Sequence, residues 1–203
     1  MIFSFKQFIV KTTLVAVLVA MGLQAKAQTN SQSTRYNYFF LEAIRQQEMG
    51  NFAAAFDLLR HALDINPNAP EVYYEIAGYY IDMQNGKAAR YYFEKAAELA
   101  PDNPAYLEKL GQFYISQANY EQALAAYERL YANNKTREDV LQILYQLYGS
   151  QNNYKKMIEV IERMEMLLGS SEQLSLTKMQ IFEQMGDKRK AQAELIALCR
   201  KTH

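Results

Sequence analysis

The sequence is poor in the residues that disulfide-bonded and metal-binding proteins need. It has one cysteine, two histidines and no tryptophan among 203 residues. A single cysteine, Cys199, cannot form a disulfide within the chain. Neither His61 nor His203 has a second ligand nearby at the spacing of a metal site. The sequence therefore predicts no structural disulfide, no metal centre and no activated cysteine nucleophile.

The sequence also lacks a surplus of positive charge. It carries 22 basic and 22 acidic residues, for a formal net charge of zero. Proteins that bind nucleic acid through phosphate contacts need a basic excess. Only four prolines and eight glycines interrupt a chain that is 50% hydrophobic. We expect an ordinary globular chain that has no nucleic-acid partner.

Motifs that carry catalytic chemistry are missing as well. The sequence contains no phosphate-binding loop, no HExxH, no CxxC and no Ser, His and Asp set with plausible partners. We therefore expect neither an enzyme nor a bound cofactor.

The N-terminus has the three regions of a secretory signal peptide. Lys6 and Lys11 precede the apolar run LVAVLVAMGL (Leu14–Leu23), and a small-x-small pattern ends at Ala27. The apolar run is short for a membrane span, which needs about 20 residues. We expect cleavage after Ala27, with a retained anchor as the alternative. No cysteine is placed for lipid attachment, so we expect an exported protein of the periplasm or cell envelope that meets the membrane only transiently. It is not expected to be a lipoprotein.

An internal repeat is the strongest signal in the chain. The segments DINPNAPE and ELAPDNPA place Pro67 and Pro101 34 residues apart. This period divides the sequence into repeats 36–69, 70–103, 104–137, 138–171 and 172–203. They follow the predicted signal peptide (1–27) and a polar linker (28–35).

These repeats resemble the tetratricopeptide repeat (TPR), a 34-residue helix-turn-helix unit. The second repeat matches the family pattern at eight positions: Tyr73, Ile76, Ala77, Tyr80, Ala89, Phe93, Ala96 and Pro101. The resemblance implies an all-α fold, an α-solenoid of about five TPR units wound as a right-handed superhelix. The chain also resembles the N-terminal part of longer exported bacterial TPR proteins.

A pair of small residues lets the two helices of a TPR approach closely. Ala77 with Ala89 and Gly111 with Ala123 supply this pair in the second and third repeats. The fourth repeat has Tyr145 and Met157 instead. We expect these bulky residues to widen the fourth helix pair or to shift its register, so that the fourth repeat is the least regular and the superhelical curvature changes there.

The resemblance implies a concave groove lined by the first helix of each repeat. We call the following residues the groove positions: Phe40, Ile44, Glu48, Glu71, Tyr74, Ile81, Asp82, Glu108, Gln112, Ile115, Asp139, Gln142 and Gln146. None of them is Lys or Arg, so the clamp with which chaperone-binding TPR domains hold a C-terminal carboxylate is absent. Apolar residues among carboxylates predict a neutral or basic protein or peptide partner with apolar anchors. The alternative is that the acids line a solvated channel.

Two further functional hypotheses are open. The first is a glycan-binding module, which would present a row of exposed aromatic rings, although Tyr74 is the only tyrosine at the groove positions. The second concerns the apolar C-terminal end formed by Leu195, Ile196 and Leu198. It is expected to belong to a truncated relative of longer TPR proteins, to be capped by self-association or to be covered by a partner.

Overall fold

The computed structural model describes residues 31–201, and the predicted signal peptide lies outside them. The described chain contains ten helices and no strand. The first, α1, covers 31–48, so residues 31–35 of the expected polar linker are helical. The others are α2 (Phe52–Ile65), α3 (Pro70–Asp82), α4 (Gly86–Leu99), α5 (Pro104–Ser116), α6 (Tyr120–Asn133), α7 (Glu138–Ser150), α8 (Tyr154–Leu168), α9 (Glu172–Gln184) and α10 (Lys188–Lys201).

The turns inside the helix pairs share one backbone conformation at intervals of 34 residues. A positive φ occurs at Gly50 (79°), Gln84 (56°), Ala118 (55°), Asn152 (53°) and Gly186 (75°). Only glycine adopts this left-handed conformation without strain. The chain keeps the same turn whether or not glycine is present, which marks the turn as a property of the repeat.

The residue that follows each of these positive-φ positions directly precedes the next helix, and in four of the five turns its side chain caps that helix. The side chains of Asn85, Asn119, Asn153 and Asp187 accept hydrogen bonds from backbone N–H groups in the first turns of α4, α6, α8 and α10. Such N-caps satisfy donors that a helix leaves without a partner. Asn51 is the exception, since its side chain donates to Gln46 Oε1 at 2.7 Å.

The chain forms two compact units, with the boundary between Leu99 and Ala100. The N-terminal unit contains α1–α4. Its core is built at helical spacing by small and large apolar residues: Tyr36, Ala43, Ala55, Leu59, Ala62, Ala69, Val72, Ile76 and Tyr79. Pro70 occupies the first turn of α3, where a missing N–H costs nothing.

The C-terminal unit contains α5–α10. Tyr127, Leu130, Leu144 and Ile161 are among its fully buried side chains. A charged contact also lies inside this unit, because Lys178 is only 8% exposed. Its ammonium bonds Glu165 at 2.9 Å and Glu194 at 3.0 Å, which joins α9 to α8 and α10.

The small pairs of the second and third repeats are buried. Ala77 and Ala89 are both fully buried. In the fourth repeat Met157 is buried and Tyr145 is half-buried. The helices α7 and α8 approach each other less closely than α5 and α6, which is the direction expected for a widened pair, while a changed register or curvature stays a prediction.

Candidate protein-binding surface

The apolar groove positions of the N-terminal unit lie at or near its surface. Phe40, Ile44 and Tyr74 are half-buried, and Ile81 is 41% exposed. The Phe40 ring stacks on Tyr36 with ring centres 6.0 Å apart. The Tyr74 ring meets Phe93 edge-on at 6.1 Å. These ring contacts hold Phe40 and Tyr74 in place while leaving part of each side chain accessible.

Hydrogen bonds from tyrosine hydroxyls connect α1 and α3, the two helices that carry these apolar groove positions. The Tyr36 hydroxyl donates to Glu71 Oε1, and the Tyr79 hydroxyl donates to Gln47 Oε1 at 3.2 Å. Burial raises the pKa of Glu75, while a hydrogen bond from Gln47 acts in the opposite direction. The two helices therefore present their side chains in a fixed register.

The remaining acidic groove positions of this unit are open to solvent. Glu48 and Asp82 are exposed. Within residues 31–201 neither forms an ion pair. The groove positions of the N-terminal unit thus combine apolar surface with uncompensated negative charge.

In the C-terminal unit a cation compensates the acidic groove positions. Arg137, in the turn before α7, donates to Glu108 Oε2 at 3.0 Å and to Asp139 Oδ1 at 2.9 Å. Its hydrogen bonds lower the pKa of Asp139, and burial opposes that shift. The neighbouring Tyr127 hydroxyl has its pKa raised to about 12, mainly by burial and secondly by the charge of Glu108.

The other groove positions of this unit are polar or half-buried. Gln112, Gln142 and Gln146 are exposed, and Ile115 is half-buried. The Gln142 side-chain amide donates to Glu138 Oε1 at 3.0 Å. Among the groove positions, the open negative charge is therefore concentrated in the N-terminal unit.

Sequence reasoning did not identify Arg137. It occupies the last position of the third repeat, outside the groove positions, and it reaches them only because the turn before α7 directs its side chain back. The only signal in the sequence was that two acids, Glu138 and Asp139, directly follow Arg137 and could pair with it.

The described residues contain little that suggests other chemistry. Among residues 31–201, no three His, Cys, Asp or Glu side chains are grouped to hold a metal ion. His61 is exposed and tilts against the Phe39 ring at 5.7 Å. No helix in this part of the chain has the length and apolar character to span a membrane.

Comparisons with known families agree with the 34-residue geometry. A family model described as tetratricopeptide repeat matches residues 47–107, and a second with the same description matches residues 104–136. The chain is a tetratricopeptide repeat protein. The TPR interpretation and the all-α repeat fold are thereby confirmed. No curated protein sequence matches this TPR chain significantly.

Solved structures of TPR proteins share the fold. A crystal structure of MamA is 18% identical, with a TM-score of 0.58 over 83% of this chain and 92% of that chain. YrrB, described as a TPR protein with an unusual peptide-binding site, is 15% identical, with a TM-score of 0.56 over 79% and 82%. PilF of Pseudomonas aeruginosa is 17% identical, with a TM-score of 0.52 over 84% and 78%.

Proposed function

We propose that this protein is a non-catalytic, exported TPR scaffold that binds a neutral or basic protein or peptide through its groove positions. TPR proteins as a class bind protein or peptide partners. YrrB, which shares the fold, has a peptide-binding site. The site of action that fits the N-terminal sequence is the periplasm or cell envelope.

One observation carries the proposal. At the groove positions of the N-terminal unit, Phe40, Tyr74 and Ile81 offer partly accessible apolar surface, and Glu48 and Asp82 offer open carboxylates. Burial of apolar side chains supplies binding free energy, and complementary charge selects the partner and speeds encounter. A partner with apolar anchors and a basic flank satisfies both requirements, whereas an acidic partner would be repelled.

The groove positions present no row of exposed rings for sugar stacking. Tyr74 is the only tyrosine at the groove positions, and its ring is half-buried against Phe93. We therefore do not propose the glycan-binding alternative.

Site-specific photocrosslinking in the native envelope tests the partner site. A photoreactive amino acid replaces Ile81 in one variant and Tyr91 in another, because both positions are exposed but only Ile81 is a groove position. We expect a protein adduct at position 81 that is lost with Tyr74→Ala or Asp82→Lys. The adduct should be absent at position 91. Identical adducts at both positions, or an adduct unaffected by either substitution, would refute the site.

N-terminal sequencing of the protein from separated envelope and cytoplasmic fractions tests export. The mature chain should begin at Gln28. A chain that begins at Met1 and stays in the cytoplasm would contradict the proposed export and leave the partner site to be judged by crosslinking alone.

A further inference from the structure

The C-terminal unit has a groove that does not involve the groove positions. Its volume is 580 Å³, and it lies between the C-terminal halves of α6 and α8. Its lining comprises Glu128, Tyr131, Ala132, Lys135, Arg163, Met166 and Leu167. Since α6 and α8 both pack on α7, that helix fixes the distance between the two walls.

Polar contacts at one side of this groove make it rigid. Glu128 accepts hydrogen bonds from the Tyr148 hydroxyl and from Arg163 Nη1, both at 2.8 Å. The Arg163 guanidinium also lies 5.1 Å from the centre of the Tyr131 ring. Each of these contacts joins different helices, so Arg163 of α8 and Tyr131 of α6 are held in place against each other across the groove.

The α8 wall of the groove also carries accessible aliphatic side chains. Met166 is 78% exposed, and Leu167 beside it is half-buried. Methionine is flexible and polarisable, and it adapts to side chains of different shape. Together with Tyr131, these residues provide a place for one apolar side chain of a ligand.

The charge of this groove is opposite to that of the groove positions in the N-terminal unit. Lys135 and Arg163 are cations and Glu128 is the only acid in the lining, where Arg163 neutralises it. Within residues 31–201, Lys135 forms no ion pair. The exposed ammonium of Lys135 therefore remains as the uncompensated charge at the rim.

We propose that the groove between α6 and α8 is a second docking site, which binds an acidic peptide segment that carries one apolar side chain. The apolar side chain lies between Tyr131 and Met166, and a carboxylate of the segment pairs with Lys135. This site is independent of the proposed partner site. Because the two sites select opposite charges, the scaffold would bind two different partners at once. A single partner would not bind at both sites.

Fluorescence anisotropy on the full-length chain tests this site with two labelled probes. The acidic probe is a short Gly/Ser peptide with one leucine flanked by aspartates, and the basic probe has lysines in place of the aspartates. We expect the acidic probe to bind with a Kd below about 1 mM and the basic probe at least about tenfold more weakly.

Two substitutions in the groove have matched controls elsewhere. Lys135→Glu should weaken the acidic probe at least about tenfold, whereas Lys109→Glu makes the same change of charge on α5 and should have less than about a twofold effect. Met166→Gln should weaken it about fivefold, and Leu195→Gln, at an exposed residue of α10, should not. Circular dichroism checks each variant, and the methionine variant tests the groove separately from the charge reversal.

Three results would overturn the second site. They are no binding of the acidic probe at about 1 mM, equal binding of both probes, or equal losses for Lys135→Glu and Lys109→Glu. Loss of acidic-probe binding in a Tyr74→Ala variant would also overturn it, since that result would place the probe at the groove positions of the N-terminal unit.

Discussion

The Tyr127 ring lies directly against the backbone of Gly111, where α5 meets α6. A Cβ atom added to Gly111 would come within 2.7 Å of Tyr127 Cε2 and 3.0 Å of Cδ2. Tyr127 is only 1% exposed, so its ring has no room to withdraw. The absence of a side chain at Gly111 is therefore what allows this helix pair to close.

Gly111→Ala should destabilise the protein by about 1–3 kcal/mol, the usual cost of overpacking a dense core. Gly78→Ala is the matched control, because Gly78 is also inside a helix and an added Cβ there meets nothing within 4 Å. That change should stabilise the protein by about 0.5–1 kcal/mol. Urea unfolding followed by circular dichroism measures the unfolding free energy of both variants. A Gly111→Ala protein as stable as the wild type would show that the Tyr127 ring can move away from the added Cβ at no cost.

Tyr127 should make the protein sensitive to alkali. Burial raises the pKa of its hydroxyl from 10.0 to about 12, so the folded state favours the neutral phenol. This contribution is complete below pH 10 and is lost as the pH rises towards 12. Between pH 9 and pH 11.5, the wild type should lose about 2 kcal/mol more of its unfolding free energy than Tyr127→Phe. Equal losses in urea titrations at the two pH values would exclude this origin.

Lys178 should be essential for attaching the last helix pair to α8. Its side chain is 10% exposed and faces the carboxylates of Glu165 and Glu194. Lys178→Met leaves both carboxylates facing each other without a counter-ion, at a cost of about 3 kcal/mol. Lys156→Met removes only a partly exposed pair with Glu159 and should cost under about 1 kcal/mol.

The same interaction can be tested by neutralising its acids. Adding Glu165→Gln and Glu194→Gln to Lys178→Met should recover more than half of the lost unfolding free energy. Thermal or urea unfolding gives the values. If the triple variant were less stable than Lys178→Met alone, unpaired charge would not be the cause of the loss.

The turn at Ala118 should be improvable by glycine. Ala118 has a φ of 55°, while the equivalent Gly50 has a φ of 79°. Ala118→Gly relieves strain at a left-handed position and should stabilise the protein by about 0.5–1 kcal/mol, after the greater freedom of unfolded glycine is subtracted. Gly50→Ala meets no atom within 4 Å, so its expected loss of about 1 kcal/mol is due to the backbone alone. Differential scanning calorimetry compares them, and a lower melting temperature for Ala118→Gly would count against the strain.

Arg137 should control the ionisation of Asp139. Its hydrogen bonds lower the pKa of Asp139 from 3.8, so this pair stabilises the fold above pH 3.8 and the contribution is lost as the pH falls through the lowered value. Arg137→Gln should return the pKa towards 3.8, whereas Lys135→Gln should leave it unchanged. Carboxyl NMR titration measures both. The cost of Arg137→Gln near neutral pH should stay below about 1 kcal/mol, since the pair is partly exposed.

The sequence predicted the repeating features well because they depend on local periodicity. The spacing of Pro67 and Pro101 gave the period, and α3, α5, α7 and α9 begin 34 residues apart. The small pair at Gly111 and Ala123 predicted a close approach, and the contact of Gly111 with Tyr127 is such an approach.

Contacts that depend on side-chain reach could not be read from the period. Arg137 pairs with acids of α5 and α7, and Lys178 pairs with acids of α8 and α10, at sequence separations from 2 to 29 residues. Whether a charged residue ends in solvent or in such a contact depends on the turn that aims it and on the packing around it. The groove between α6 and α8 was missed for the same reason, since its lining comes from the second helices of two repeats.

The recurring left-handed turn has a consequence for how the length of this chain can change. The turn inside each helix pair has a positive φ at the same position of the repeat, from Gly50 to Gly186. A duplication or deletion of one whole period adds or removes a hairpin and keeps this turn in every remaining pair. An insertion of any other size would have to bulge out of a turn or shift a helix relative to its neighbours. Such a gene can therefore grow or shrink in modules, and related proteins should differ in length by whole repeats.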